Sequence, residues 1–264
     1  MTAPSPERSG DQLADDSVLP ELALTIVAVG DELHGEFPVL ETMCTPGTDV
    51  VRPSVAATQA DAVLGLHAIR ALAPRLPVTL DLDVHLFPEA AGLDRILGVS
   101  RLVRAGRNVI VTDMEFRSPT GRVVGYGSGA FMAIPEPGFR SPDLDEVLGR
   151  FGTPRGTLTV PIAERIGCVR TGPGTAVLPS TSVVHNGAMA INGGMLAVVA
   201  EEAALAADPG AARLESIHLR FVRGVRVGPA SATADAHGGM ARVEVHDAST
   251  GNIAAVATTR SVPA

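Results

Sequence analysis

Lysine is absent from this chain: all 21 basic residues are arginine, set against 29 acidic ones, for a formal net charge of −8. A general nucleic-acid binder shows a basic face, and this balance argues against one, although a few arginines suffice for a small anionic ligand. Without lysine there is no GxxxxGK[ST] phosphate loop. Tryptophan is also missing, and aromatics total 3%, which disfavours a stacking platform for single-stranded nucleic acid. The two cysteines, Cys44 and Cys168, lie far apart and outside any metal-ligand spacing, so they read as structural thiols. The 7 histidines are scattered without an HxxxH or Cys/His cluster, and no metal site is expected. No apolar run approaches the ~18 residues of a membrane-spanning helix. Met1 to Asp16 is polar and acidic, without the basic and apolar segments of an export signal, so a cytoplasmic location is expected.

What remains is a globular chain. Apolar residues make up 45% and charged residues 19%, which excludes disorder, and 264 residues is the length at which one core tends to divide into two. Strand patterns dominate. Leu22–Val29 is a near-continuous apolar run closed by Gly30-Asp31, and Val78–Leu86 alternates apolar and polar residues as a half-buried strand does. Extended runs follow at Arg95–Val103, Arg107–Arg117 and Arg122–Ile134. Ser54–Leu72, rich in Ala and Leu, reads as one helix with Pro53 in its first turn, where a missing N–H costs nothing. Gly125–Ala130 looks like a glycine-rich nucleotide loop, but no helix follows it, so it reads as a strand of small residues.

The order strand, helix, four strands then recurs. Leu158–Val169 and Thr175–Leu178 read as extended, Gly193–Ala206 as a helix, and Glu215–Val222, Ala230–Ala236, Ala241–Ala248 and Asn252–Val262 as four strands. Asp61 and Glu201 occupy the same place in the two helices, 140 positions apart; the turns at 119–121 and 249–251 are 130 apart, the second half having shorter loops. The Pro- and Gly-rich stretch between them includes Ser141-Pro142-Asp143, an opening for a short helix with Ser141 as cap. The expected organisation is a disordered tail (1–17), a first unit (18–135), a linker (136–155) and a second copy (156–264).

One long helix bearing a carboxylate, lying on an antiparallel sheet, resembles the hotdog fold. The specific resemblance is to acyl-CoA thioesterases of the phenylacetyl-CoA thioesterase branch. It rests on Asn186-Gly187-Ala188, Asn192-Gly193-Gly194 and Ala200-Glu201-Glu202 in the second half, and on Ala60-Asp61-Ala62 and Val78-Thr79-Leu80 in the first. The family has His where this chain has Asn192. The resemblance implies an α+β pseudo-dimer of two hotdog domains that hydrolyses a thioester with no metal or redox cofactor. Its one site would take Asp61 (general base or nucleophile) and Thr79 from the first half, and Asn186, Asn192 and Gly193 from the second. The Gly193 N–H, at a helix start, is the expected oxyanion donor. Gly194 is expected beside the substrate, and Arg104 and Arg107 are carried as contacts for the CoA phosphates.

The reciprocal site would pair Glu201 with the first helix. At the 140 offset Gly193 becomes Pro53, which has no N–H, and Asn186 becomes Pro46, so Glu201 is expected to mark a vestigial site. Two other readings stay open: a non-catalytic acyl-CoA binding or sensing module, kept alive by Asn192, and a hydratase or dehydratase, which neither helix start supports with a His. The expected partner is the acyl-CoA substrate, with no nucleic acid and no membrane. Further association of the fused unit into a homo-oligomer is expected by analogy with the fold.

Overall fold

The structure is a computed structural model, which describes residues 8–9, 16–134, 139–151 and 156–263. The strands are β1 (Arg8–Ser9), β2 (Thr25–Val29), β3 (Glu32–Pro38), β4 (Pro77–Leu86), β5 (Arg95–Ala105), β6 (Val109–Arg117), β7 (Val123–Ala133), β8 (Phe139–Arg140), β9 (Val169–Gly172), β10 (Thr175–Leu178), β11 (Ala211–Phe221), β12 (Ala230–His237), β13 (Met240–Asp247) and β14 (Asn252–Pro263). The helices are α1 (Pro53–Leu72), α2 (Leu144–Arg150), α3 (Ile162–Arg165) and α4 (Gly193–Ala207).

Helix α1 begins where Pro53 presets φ and Arg52 before it is held in extended backbone, as a residue preceding proline must be. Most of α1 and nearly all of α4 is buried, including residues on every side of each helix, so both are core helices and not amphipathic surface ones. They lie on a 12-stranded sheet of order β2-β3-β5-β6-β7-β4-β11-β14-β13-β12-β10-β9. Each half of that order is the other reversed, and the halves join where β4 pairs antiparallel with β11, with Asp83 opposite His218. Helix α1 contacts β4, β7 and α4, and α4 contacts β10, β12 and β13, so the helices meet above the strand junction. Pairing continues unbroken across the junction, and the cores of the two halves merge into one cluster.

Several sequence expectations are corrected in detail. The first half opens with two strands and not one, as the second does: Glu32, Glu36 and Gly35 hide the strand Glu32–Pro38. Gly35 is there for packing, since a Cβ on it would lie 2.8 Å from Val63 of α1. Within Leu158–Val169, residues Ile162–Arg165 form a helical turn instead of extended chain. The short linker helix is capped by Asp143, whose carboxylate accepts from the Asp145 and Glu146 N–H groups, and not by Ser141. Of the tail expected to be disordered, Arg8–Ser9 pairs parallel with β8 and Ser17 is buried, while residues 1–7 and 10–15 lie outside the described residues. Residues 135–138 and 152–155 of the first unit's end and the linker also lie outside them. Both cysteines are buried and free, and burial raises both thiols, Cys168 to about 12, leaving them inert.

Candidate functional site

Asp61 projects from α1 toward the first strand of the junction. Thr79 Oγ1 donates to Asp61 Oδ1 at 2.7 Å. A β-bulge makes this contact: Thr79 pairs with Phe131 and Asp81 with the adjacent Ala130, so Leu80 is an extra residue. Without it Thr79 would share the outer face with Asp81, Asp83 and His85; with it Thr79 turns inward to the helix. Burial pushes the Asp61 pKa up to about 6, while the Thr79 hydroxyl pulls the other way. Oδ2 of Asp61 has no hydrogen-bond partner among the described residues.

What faces Oδ2 is the start of α4, from the other half of the chain. Asn192 caps that helix, its side-chain oxygen accepting the Gly194 N–H at 2.8 Å. The Gly193 N–H has no acceptor among the described residues. A Cβ built on Gly193 would lie 3.8 Å from Asp61 Oδ2 and 3.1 Å from the tip of the Phe221 ring. Carboxylate, free helix-start donor and aromatic ring thus converge on one point. Gly194, expected beside the substrate, has a different reason to be glycine. A Cβ there would lie 2.2 Å from Thr58 Oγ1 of α1, so it allows the two helices to touch, and its N–H is already taken by Asn192.

The reciprocal position is filled by the protein itself. Glu201 is fully buried, and its Oε2 accepts the Ser54 N–H at 3.1 Å, at the start of α1. Arg52, only 1% exposed, stands in the helix-cap place that Asn192 has in α4; its Nε lies 3.4 Å from Glu201 and its fork also pairs with Glu202. Arg170 holds the other Glu202 oxygen. Burial opposes ionisation of Glu202, but Arg52 and Arg170 outweigh it and hold its pKa below the usual range. The bulge recurs in β11, where Leu214 pairs with Ser261 and Ser216 with Arg260; the counterpart of Thr79 is therefore the buried, apolar Leu214.

Asn186 uses its side-chain oxygen on its own loop, accepting from the Ala188 (2.9 Å) and Ala190 (3.2 Å) N–H groups. Only its amide nitrogen is left for a ligand. Arg104 and Arg107 are exposed near the β5–β6 turn. Ala105, Ile110, Phe131 and Thr79 are successive partners across four strands, so that turn lies at the Thr79 end of the sheet, about 10–15 Å away at ~4.8 Å per strand. Sequence reasoning missed Phe221, for which no motif exists, and the part played by Arg52. The latter had a signal: an arginine stands where the second copy has the cap Asn192. Two concavities of about 450 Å³ occur among the described residues, one on the outer sheet face around Asp83, His85 and Tyr126, the other around Gly238 and Arg260. Neither touches Asp61, Thr79 or Gly193, and neither joins a carboxylate to a helix start; the chemistry favours the closed junction site.

No family model matches the sequence, and no curated protein does. Solved structures do. The 12:0-ACP thioesterase from Umbellularia californica matches at a TM-score of 0.63 and 15% identity, over 90% of this chain and 100% of that one. An acyl-ACP thioesterase from Bacteroides thetaiotaomicron matches at 0.57 and 10% identity, over 88% and 98%. A protein from Alicyclobacillus acidocaldarius described as having a hot dog fold matches at 0.55 and 15% identity, over 94% and 99%. With the 12-stranded antiparallel sheet and its two central helices, these matches show that the chain has the α+β hotdog fold in two copies.

Proposed function

We propose that this chain hydrolyses an acyl-CoA thioester to the free acid and CoA, at one site per chain formed between its halves. The observation that carries the reading is the meeting of Asp61, held by Thr79 and with one oxygen free, with the uncapped Gly193 N–H at the start of α4. That the structural neighbours include thioesterases supports the reaction class. A carboxylate with a pKa near 6 is ionised at neutral pH, yet basic enough to take a proton from water. As water adds to the thioester carbon, its proton passes to Asp61 and the carbonyl oxygen becomes negative. The Gly193 N–H, backed by the positive end of α4, donates to that oxygen. Collapse breaks the C–S bond, and the departing thiolate takes the proton back from Asp61. Direct attack by Asp61 through an anhydride uses the same groups. The reading requires no metal or cofactor, because the carboxylate is the base and the helix start is the electrophilic group.

The test is thiol release from a panel of acyl-CoAs, followed with a thiol-trapping chromophore. Asp61→Asn is expected to abolish release while Glu201→Gln leaves most of it. Comparable losses in both variants would refute a single asymmetric site. Saturable acyl-CoA binding without any thiol release would make the chain a sensing module instead.

A further inference from the structure

Phe221 is the last residue of β11, and its place in the site follows from strand register. Ile217, Leu219 and Phe221 share the inner face of the sheet by alternation; the first two are completely buried, while Phe221 keeps partial exposure. Arg220 pairs with Asp81, which sets Phe221 opposite the bulged Leu80 and beside Thr79. On the far side of Thr79 stands Phe131, its direct partner in β7, with its ring 3.7 Å from a Cβ built on Gly65 of α1. Thr79 is therefore flanked by two aromatic residues. Phe131 is buried among core side chains. Phe221 instead adjoins the exposed Val222, Arg223 and Gly224, and is only partly buried where it packs against the core. Its tip rests 3.1 Å from the Cβ position of Gly193, on ground that a carbonyl reaching the Gly193 N–H must share.

We propose that Phe221 is the specificity-determining wall of the acyl site, the residue that sets how large an acyl group can lie beside Gly193. This rests on the thioesterase reading and deepens it. The apolar layer between sheet and helices is where an apolar acyl group gains by burial, whereas the polar carrier stays by the exposed 222–224 loop. To bring its carbonyl to Gly193, a substrate displaces the ring tip, and the ring then closes on the acyl chain. Beside the half-buried Asp61 the same ring would limit the access of water, and so contribute to the burial that lifts its pKa. Phe221 touches the acyl group and shields the base; it takes no part in proton transfer.

The experiment compares wild type, Phe221→Ala and Phe221→Leu on straight-chain acyl-CoAs of four to twelve carbons, with KM and kcat measured separately. One methylene in a fitted apolar pocket changes kcat/KM by roughly 10-fold or more. Phe221→Ala is therefore expected to raise the long-to-short ratio of kcat/KM at least about 10-fold, with Phe221→Leu in between. An unchanged chain-length profile would overturn the assignment. Independently of turnover, carbon NMR of the Asp61 carboxyl is expected to show its titration moving to lower pH in Phe221→Ala; an unmoved titration would overturn the shielding role. If wild type releases thiol from no acyl-CoA, the thioesterase reading is what fails, and the NMR titration still decides whether Phe221 shields Asp61.

Discussion

Replacing Asp61 by Asn should stop catalysis and yet make the protein more stable, by an amount that depends on pH. In the folded protein the Asp61 pKa rises from an ordinary 3.8 to about 6, chiefly because burial disfavours the charged form. The folded state therefore holds this proton more tightly than the unfolded chain does. Stability contributed by the protonated form is complete below about pH 4, is lost as pH rises through about 6, and stays lost above that. At about 1.4 kcal/mol per tenfold change in the acid constant, the ionised carboxylate costs about 3 kcal/mol at pH 8. Asparagine has the same shape, carries no charge and can still accept from Thr79, so it removes that cost without opening a cavity. For a chain of this size the gain is a rise in melting temperature on the order of 5–10 °C. The assay is thermal melting of both proteins from pH 4 to pH 8. The two should melt together at pH 4 and separate progressively above it. Equal stability at pH 8, or a gain as large at pH 4 as at pH 8, would show that desolvation does not raise the Asp61 pKa in the folded protein.

Three further outcomes follow from the same geometry. Thr79→Val removes a hydroxyl that favours the charged carboxylate; at roughly 1.5–3 kcal/mol for such a bond, the acid limb of the pH–rate profile should move up by about one to two pH units. Arg52→Met leaves Glu201 and part of Glu202 buried without their counter-charge, at a cost of about 3–5 kcal/mol in urea unfolding, while turnover per folded molecule is retained. Gly194→Ala forces a Cβ against Thr58 and should destabilise by about 1–3 kcal/mol, largely recovered in the Gly194→Ala/Thr58→Ala double variant, as measured by the same unfolding.

The elements that fix the fold were legible wherever a strong local signal coincided with the tertiary outcome. Helix α1 announced itself by Pro53 and an Ala- and Leu-rich run interrupted by glycine only at Gly65, β4 by strict alternation, and the duplication by Asp61 and Glu201 at matching places. The short strand β3 was not legible, because Gly35 and two glutamates disguise it, and Gly35 is explained only by a side chain of α1 far away in sequence. The site was legible as far as chemistry follows from residue type: a carboxylate in a helix, a hydroxyl in a strand, glycines at a helix start. Contacts across the junction were not. That Gly194 serves helix packing, that Leu80 is bulged, and that Phe221 rests on Gly193 depend on the register of β4 with β11 and on where α1 meets α4, which no short stretch of sequence encodes.

The divergence of the two halves has a simple origin at the helix caps. A helix start needs an acceptor for its first N–H groups. In α4, Asn192 supplies one itself, so the Gly194 N–H is satisfied locally and Asp61 across the junction owes it nothing. In α1 the same place is held by Arg52, whose guanidinium has donors only. The Ser54 N–H must then find its acceptor elsewhere, and Glu201, one methylene longer than Asp61, reaches it. Arg52 in turn supplies the counter-charge that lets Glu201 remain buried. Each residue on that side answers a need created by another: the helix start is capped by Glu201 and the guanidinium is paired, although Ser54 Oγ is buried without a hydrogen bond and Arg52 Nε meets Glu201 Oε1 only as an ion pair at 3.4 Å. On the other side a neutral cap and a shorter acid leave two groups unsatisfied, the Gly193 N–H and one Asp61 oxygen. One half-junction is closed by its own salt bridge, and the other is left with the incomplete bonding that a reacting carbonyl and a water molecule would complete.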